Sequence, residues 1–205
     1  MGKLEANKQQ KLTSLLNTAF NLFTTQGVTK TSIAEISQKA GIAKGTFYLY
    51  FKDKYDIRNR LISHESSKLF KNAVADLEEF SIEKDEPLGF EKKIIFIINH
   101  IVDELNSNQT LLTFISKNLS WGIFKEALTT KVASDDINFK DVYYEMINAE
   151  DISLEEPEIM LFLIVELVSS TCYSAILYKE PADIDTIKPY LFKTVRAIIK
   201  EHTIR

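Results

Sequence analysis

Cysteine is nearly absent from this chain. The single thiol, Cys172, cannot close an internal disulfide or build a site that needs several thiolates. Six glycines and four prolines in 205 residues are few punctuators for a many-stranded β protein. The longest unbroken aliphatic and aromatic run, Ile159 to Val165, falls far short of the roughly 20 residues that span a bilayer. The N-terminal MGKLEANKQQKL is basic with no apolar stretch behind it, so no secretory signal is expected. Leu61, Ile97 and Ile199 stand three residues before His64, His100 and His202, so the Glu-x-x-His pair of a di-iron bundle is missing. His64-Glu65 is not followed by a second histidine at zinc-protease spacing, no two glycines stand two apart, and no glycine precedes Lys-Ser/Thr. Neither metal nor cofactor is expected, and the remaining class is a soluble, reduced, cytoplasmic, mostly helical protein.

What is present supports that class: 45% hydrophobic, 26% charged and 11% aromatic residues, enough for a sizeable core. The net charge of −4 hides an asymmetry. Residues 1–60 hold ten Lys and Arg against four Asp and Glu, whereas the rest of the chain holds fifteen against twenty-five. A basic first third on an acidic body fits a nucleic-acid contact at one end, although charge alone does not decide it.

Apolar residues at spacings of three and four predict an amphipathic helix carrying Leu12, Leu15, Leu16, Ala19, Phe20, Leu22 and Phe23, closed by Gly27. Ser32 and Glu35 read as a capping box opening a short helix that Gly41 ends. A second short helix follows over residues 43–51, and Asp53 caps a long one reaching about residue 80. The charged 81–89 segment reads as a loop. Further helices are expected over 90–105, 110–119, 121–133, 139–149, 154–179 and 186–202, the fifth opened by a Ser153/Glu156 box with Pro157 in its first turn. No alternation long enough for a strand occurs. The expectation is an all-α chain of about nine helices, with a helix-turn-helix domain over 1–53 and a helical domain over 54–205.

Two short helices joined by a glycine turn make a helix-turn-helix, whose second helix must present side chains to base edges. In AKGTFYLYF, Phe47 and Phe51 can pack inward, leaving Lys44, Gly45, Thr46, Tyr48, Leu49 and Tyr50 on or near the outer face. Lys44 can donate to phosphate or guanine, Gly45 permits close approach, and the tyrosines offer hydroxyls to phosphates. The same pattern also fits a plain helical hairpin with exposed tyrosines. TSIAEISQKAGIAKGTFYLYFKDK, with the amphipathic helix before it, resembles the N-terminal signature of the TetR family of bacterial transcriptional regulators over residues 10–62.

The resemblance implies that Thr31 and Ser32 bind phosphates, that Lys44, Gly45 and Thr46 open a recognition helix, that Tyr48 and Tyr50 contact backbone, and that Lys54 anchors a phosphate. Two positions depart from the family pattern. Ala43 stands where a capping serine is common, and Leu49 stands at an often polar position where it can meet a thymine methyl. The resemblance further implies a homodimer on a palindromic operator in double-stranded DNA, paired through the last two helices. Ser170, Ser174, Leu191, Val195, Ile198 and Ile199 are the interface candidates. It also implies a pocket for an unknown small-molecule effector, largely apolar, for which Phe96, His100, Phe114, Trp121, Phe124, Tyr143, Phe162, Glu166 and Tyr173 are candidates. The implied role is a repressor with no membrane partner and no enzymatic activity. The competing readings are a helical protein-interaction module, which leaves the basic third unexplained, and an unrecognised helical enzyme.

Overall fold

The computed structural model describes residues 3–84, 88–118, 139–150 and 152–204. Nine helices make up the described residues: α1 (Lys3–Gln26), α2 (Ile33–Lys39), α3 (Lys44–Phe47), α4 (Lys54–Lys84), α5 (Phe90–Ser107), α6 (Gln109–Asn118), α7 (Phe139–Asn148), α8 (Pro157–Leu177) and α9 (Ile184–His202). The sole extended pairing among them is an isolated antiparallel bridge, Leu154 to Thr203. Trp121, Phe124 and the helix expected over 121–133 lie outside the described residues. The fold class is all-α.

Contacts divide the chain into two compact units, and the division falls between Ser66 and Ser67, inside α4. The boundary expected at Asp53–Lys54 is instead the N-cap of that helix. In the first unit, the predicted apolar stripe of α1 delivers Leu15, Leu16, Ala19, Leu22 and Phe23 to a core completed by Ile36, Phe47, Phe51, Ile57, Leu61 and Ile62, all nearly inaccessible. Gly27 and Gly41 end the first two helices in the left-handed region, at φ 84° and 68°, where a side chain would be strained. Asp53 Oδ1 accepts from the Tyr55 and Asp56 amides at 2.7 and 2.9 Å and so opens α4. That helix runs past the expected stop near residue 80 to Lys84, because nothing in Ser81–Lys84 breaks it before the Asp-Glu-Pro that follows.

In the second unit, α8 and α9 pack on each other and α5 packs on both. Lys188 of α9 contacts Asp103 of α5, and Arg196 pairs with Glu91 at 3.2 Å. Glu150, just past α7, bonds the Phe90 amide and takes Lys93 at 2.7 Å, supplying the N-terminal cap that Gly89 lacks. The expected Ser153/Glu156 capping box does not form. Ser153 gives its carbonyl to the Ile204 amide, and Glu156 occupies the N-cap at φ 47° without a side-chain bond, so Pro157 begins the helix. α9 opens two residues earlier than expected because Asp183 accepts from the Thr186 amide at 2.9 Å, and bonds from Thr186 hold its carboxyl below the usual range. That support is present above the ordinary carboxylate range and lost as pH falls through the lowered value.

α8 is, among the described residues, the one helix long and apolar enough by composition to cross a membrane, although no single run in it reached that length. About 39% of its most apolar stretch is buried. Met160, Leu161, Ile164, Cys172, Ala175 and Ile176 face inward, and burial pushes the Cys172 thiol up to about 12. Ile159 and Leu163 remain exposed at 49% and 42%.

Leu191, Val195 and Ile199, expected at an interface, are at most 3% exposed within the single chain. Periodicity finds the apolar face of α9 but cannot say whether the same chain or a second copy covers it. Val195→Asp should therefore cost about 3–5 kcal/mol, the penalty of an unpaired charge in a packed core, rather than release folded monomers. Thermal unfolding by circular dichroism checks this, and a folded monomer of unchanged midpoint is the opposing result.

Candidate nucleic-acid interface

The reading segment is short. Only Lys44–Phe47 are helical, one turn, followed by turns through Tyr50, whereas the sequence predicts a helix over 43–51. Ala43 at the N-cap makes no side-chain hydrogen bond, and the Thr46 amide that a serine there would take donates to the Ala43 carbonyl at 2.8 Å. Phe47 and Phe51, four apart with ring centroids at 5.5 Å, anchor the segment at 0% and 1% exposure. Their burial turns the other residues outward. Lys44, Gly45, Tyr48 and Leu49 are exposed, Leu49 at 81%, and Thr46 is half-buried. Nothing lies within 4 Å of a Cβ built on Gly45, so its surface is open for close approach by a ligand.

The preceding helix contributes less than expected. Ser32 is exposed, and its Oγ accepts from the Glu35 amide at 3.1 Å, leaving the hydroxyl hydrogen free to reach an anion. The return half of the capping box is not made by Glu35, whose carboxylate accepts from Gln26 Nε2 at 2.9 Å and pairs with Lys39 at 3.3 Å. Thr31 is 1% exposed; its hydroxyl donates to the Gly27 carbonyl at 2.8 Å and accepts from Gln26. It secures the α1–α2 turn and has no hydroxyl to offer a phosphate. Sequence places Thr31 beside Ser32 but cannot show that one points in and the other out.

Two further residues have structural partners. Lys54 Nζ donates to the Thr29 and Thr31 carbonyls at 2.8 and 3.1 Å, so its ammonium ties α4 to the turn before α2 and retains one hydrogen for an anion. Tyr50 is half-buried and donates to the Lys8 carbonyl at 3.3 Å. Sequence reasoning missed Lys30 and Lys52, both exposed in the loops bordering this surface. Their charge was visible in the sequence, but their proximity to the motif needed the fold.

With this geometry in place, the comparisons fall on the same residues. Residues 15–61 match the family described as bacterial regulatory proteins, tetR family. That match takes in the end of α1, both short helices and the start of α4. The chain is 40% identical over 55 residues to the HTH-type transcriptional regulator AcrR of Shigella flexneri, covering 27% of this chain and 26% of that protein. It is 28% identical over 79 residues to the fatty acid metabolism regulator protein of Bacillus subtilis, covering 38% and 41%. The matched region thus spans about a quarter to two fifths of these relatives' length. The fold is shared much further. The crystal structure of FadR from Bacillus subtilis in complex with stearoyl-CoA superposes with a TM-score of 0.61 at 17% identity, covering 89% of this chain and 96% of FadR.

Among the described residues, the side chains expected from sequence to meet an effector take different surroundings. Phe96 of α5 packs against a cluster of Phe70, Ala73, Leu77 and Ile97, joined by Phe139, Val142 and Met146. Tyr143 is 2% exposed, lies 6.4 Å from Phe139 and 6.3 Å from Phe90, and donates to the Pro157 carbonyl at 3.0 Å. Desolvation raises its phenol above the ordinary range. Phe114 is buried and Phe162 half-buried. His100 bridges carboxylates, Asp76 at 3.0 Å and Glu104 at 3.4 Å. Glu166, expected to point into apolar surroundings or to pair with Lys193 or Arg196, is exposed, and Arg196 takes Glu91 instead. Tyr173 shares a hydroxyl contact with Tyr178 at 3.0 Å, at the far end of α8.

Lys54→Met should destabilise the DNA-free protein by about 1–3 kcal/mol, for two bonds from a charged donor, and so lower its thermal midpoint. Lys44→Ala should leave the midpoint unchanged. Differential scanning fluorimetry separates them, and an unchanged midpoint for Lys54→Met would return that lysine to a purely ligand-facing role.

Proposed function

We propose that the protein is a cytoplasmic, ligand-responsive transcriptional regulator that binds a palindromic operator as a homodimer and acts as a repressor. The observation that carries this is the outward set Lys44, Gly45, Thr46, Tyr48 and Leu49, held open by buried Phe47 and Phe51 in a domain of TetR type. Lys44 would donate to guanine or phosphate, Leu49 would pack on a thymine methyl, and Ser32 would take a phosphate. One α3 turn reads few bases, so a second copy is needed for useful specificity.

The uncovered side of α8 supports that second copy. Ile159, Leu163, Glu166 and Ser170 recur at spacings of four, three and four and are all exposed, a partly apolar stripe on a helix that is apolar all round. Half-buried Ser174 and Ile198 and exposed Tyr190 lie on the same helix pair. This surface, and not the buried Leu191–Val195–Ile199 face, is the one we assign to the dimer.

The effector reading rests on the aromatic-rich helices α4, α5 and α7. FadR holds stearoyl-CoA in its crystal structure, and an apolar or acyl ligand is the class that side chains such as Phe96, Phe139 and Met146 would accept. α4 is continuous from Lys54 to Lys84. A ligand favouring one setting of that helix would change the spacing of the two reading segments, which must stay near roughly 34–36 Å or a multiple of it.

Selection from a pool of random duplexes tests the reading. An enriched inverted repeat bound by two protomers is the expected outcome, and no enrichment would refute it. Leu163→Glu should give folded monomers by light scattering that lose most of their affinity for the selected duplex. A dimeric Leu163→Glu variant would remove the α8 surface from the interface.

A further inference from the structure

Residues 4–8 of α1 bury nothing of their own. All are exposed, Leu4 at 88%, so this part of the helix gains no stability from packing, unlike the stretch from Leu15 onward. It is nevertheless placed. The Tyr50 hydroxyl donates to the Lys8 carbonyl at 3.3 Å, and Ser14 Oγ donates to the Ala40 carbonyl at 3.1 Å. α1 thus meets the end of the reading segment through the Lys8 carbonyl and the C-cap of α2 through the Ser14 hydroxyl. Lys11 lies between those two contacts and is exposed, as is Lys8. α1 has one acidic residue, Glu5.

We propose that Lys8 and Lys11 form a further contact surface for duplex DNA, clamping the phosphates that border the groove entered by α3. This rests on the DNA-binding reading above. A helix lying in a groove is flanked on both sides by phosphate strands, so cationic groups fixed beside it meet backbone rather than base edges. Two exposed lysines on a helix whose backbone is tied to the end of the reading segment by Tyr50, and to the C-cap of α2 by Ser14, are complementary to that charge, and base-specific hydrogen bonding is not required of them. The α1 start thus extends the interface beyond the helix-turn-helix, and its contribution is independent of sequence.

The test compares wild type with the Lys8→Gln/Lys11→Gln double variant, on the duplex selected by wild type and on an unrelated duplex, across a salt series. If both lysines neutralise a phosphate in each protomer of a dimer, the slope of log affinity against log salt falls by about 3–4. Affinity for both duplexes should drop by the same factor, and hydroxyl-radical protection should disappear at the groove edges while the centre of each half-site stays protected. An unchanged slope and footprint would overturn the proposal, as would a loss confined to the selected sequence. If wild type binds neither duplex, the DNA reading itself fails and this inference falls with it. Circular dichroism of the variant, whose substitutions are exposed and helix-compatible, must match wild type; a changed spectrum would show that these lysines serve the fold, and overturn it equally.

Discussion

A single turn of helix cannot hold itself together in water, and Lys44–Phe47 is a single turn. Its geometry depends on two phenyl rings, Phe47 and Phe51, sunk into the core that α1, α2 and the start of α4 create. The rest of the first unit serves that anchorage. Gly41 turns the chain sharply enough to bring α3 back over α2. Lys54 pins the opposite turn by its carbonyls, and Thr31 closes the same turn from inside. A polar surface that must stay open to a ligand cannot contribute packing energy to its own fold, so the stability of the reading segment is supplied from its underside.

The second unit solves a different problem. Its helices are rich in apolar side chains that have to be covered. α9 resolves this by amphipathicity, with Leu191, Val195 and Ile199 inside and Lys193, Arg196 and Lys200 outside. α8 does not, since apolar residues occupy both faces and Ile159 and Leu163 stay in water. Polar ties close the assembly: Glu150 at the start of α5, Lys188 and Arg196 from α9 to α5, and the bridge joining Leu154 to Thr203. Of these, Glu150 satisfies an amide at a helix start that would otherwise be orphaned.

Much of this was legible in the sequence where one residue decides the outcome alone. Gly27 and Gly41 end helices because only they tolerate positive φ cheaply, Asp53 caps α4, and the Phe47–Phe51 spacing separates buried from exposed positions. Legibility failed where the outcome depends on a distant partner. Ser153 gives its carbonyl to the Ile204 amide and forms no capping box, and Lys54 and Tyr50 find carbonyls in other elements. Val195 illustrates the same limit, because a periodic apolar stripe specifies that it is covered and not by what. Among the aromatic candidates, Tyr143 has its hydroxyl satisfied by a backbone carbonyl, a bond no spacing rule predicts.

The central claim is that the surface opened by Phe47 and Phe51 is the one that meets DNA. Amide hydrogen exchange, with and without a saturating duplex selected by the protein, tests it most directly. The uncapped α3 turn should exchange rapidly in the free protein. Duplex should slow exchange most across residues 44–50 and at the start of α2. Slowed exchange confined to α5–α9, with residues 44–50 unchanged, would contradict the account.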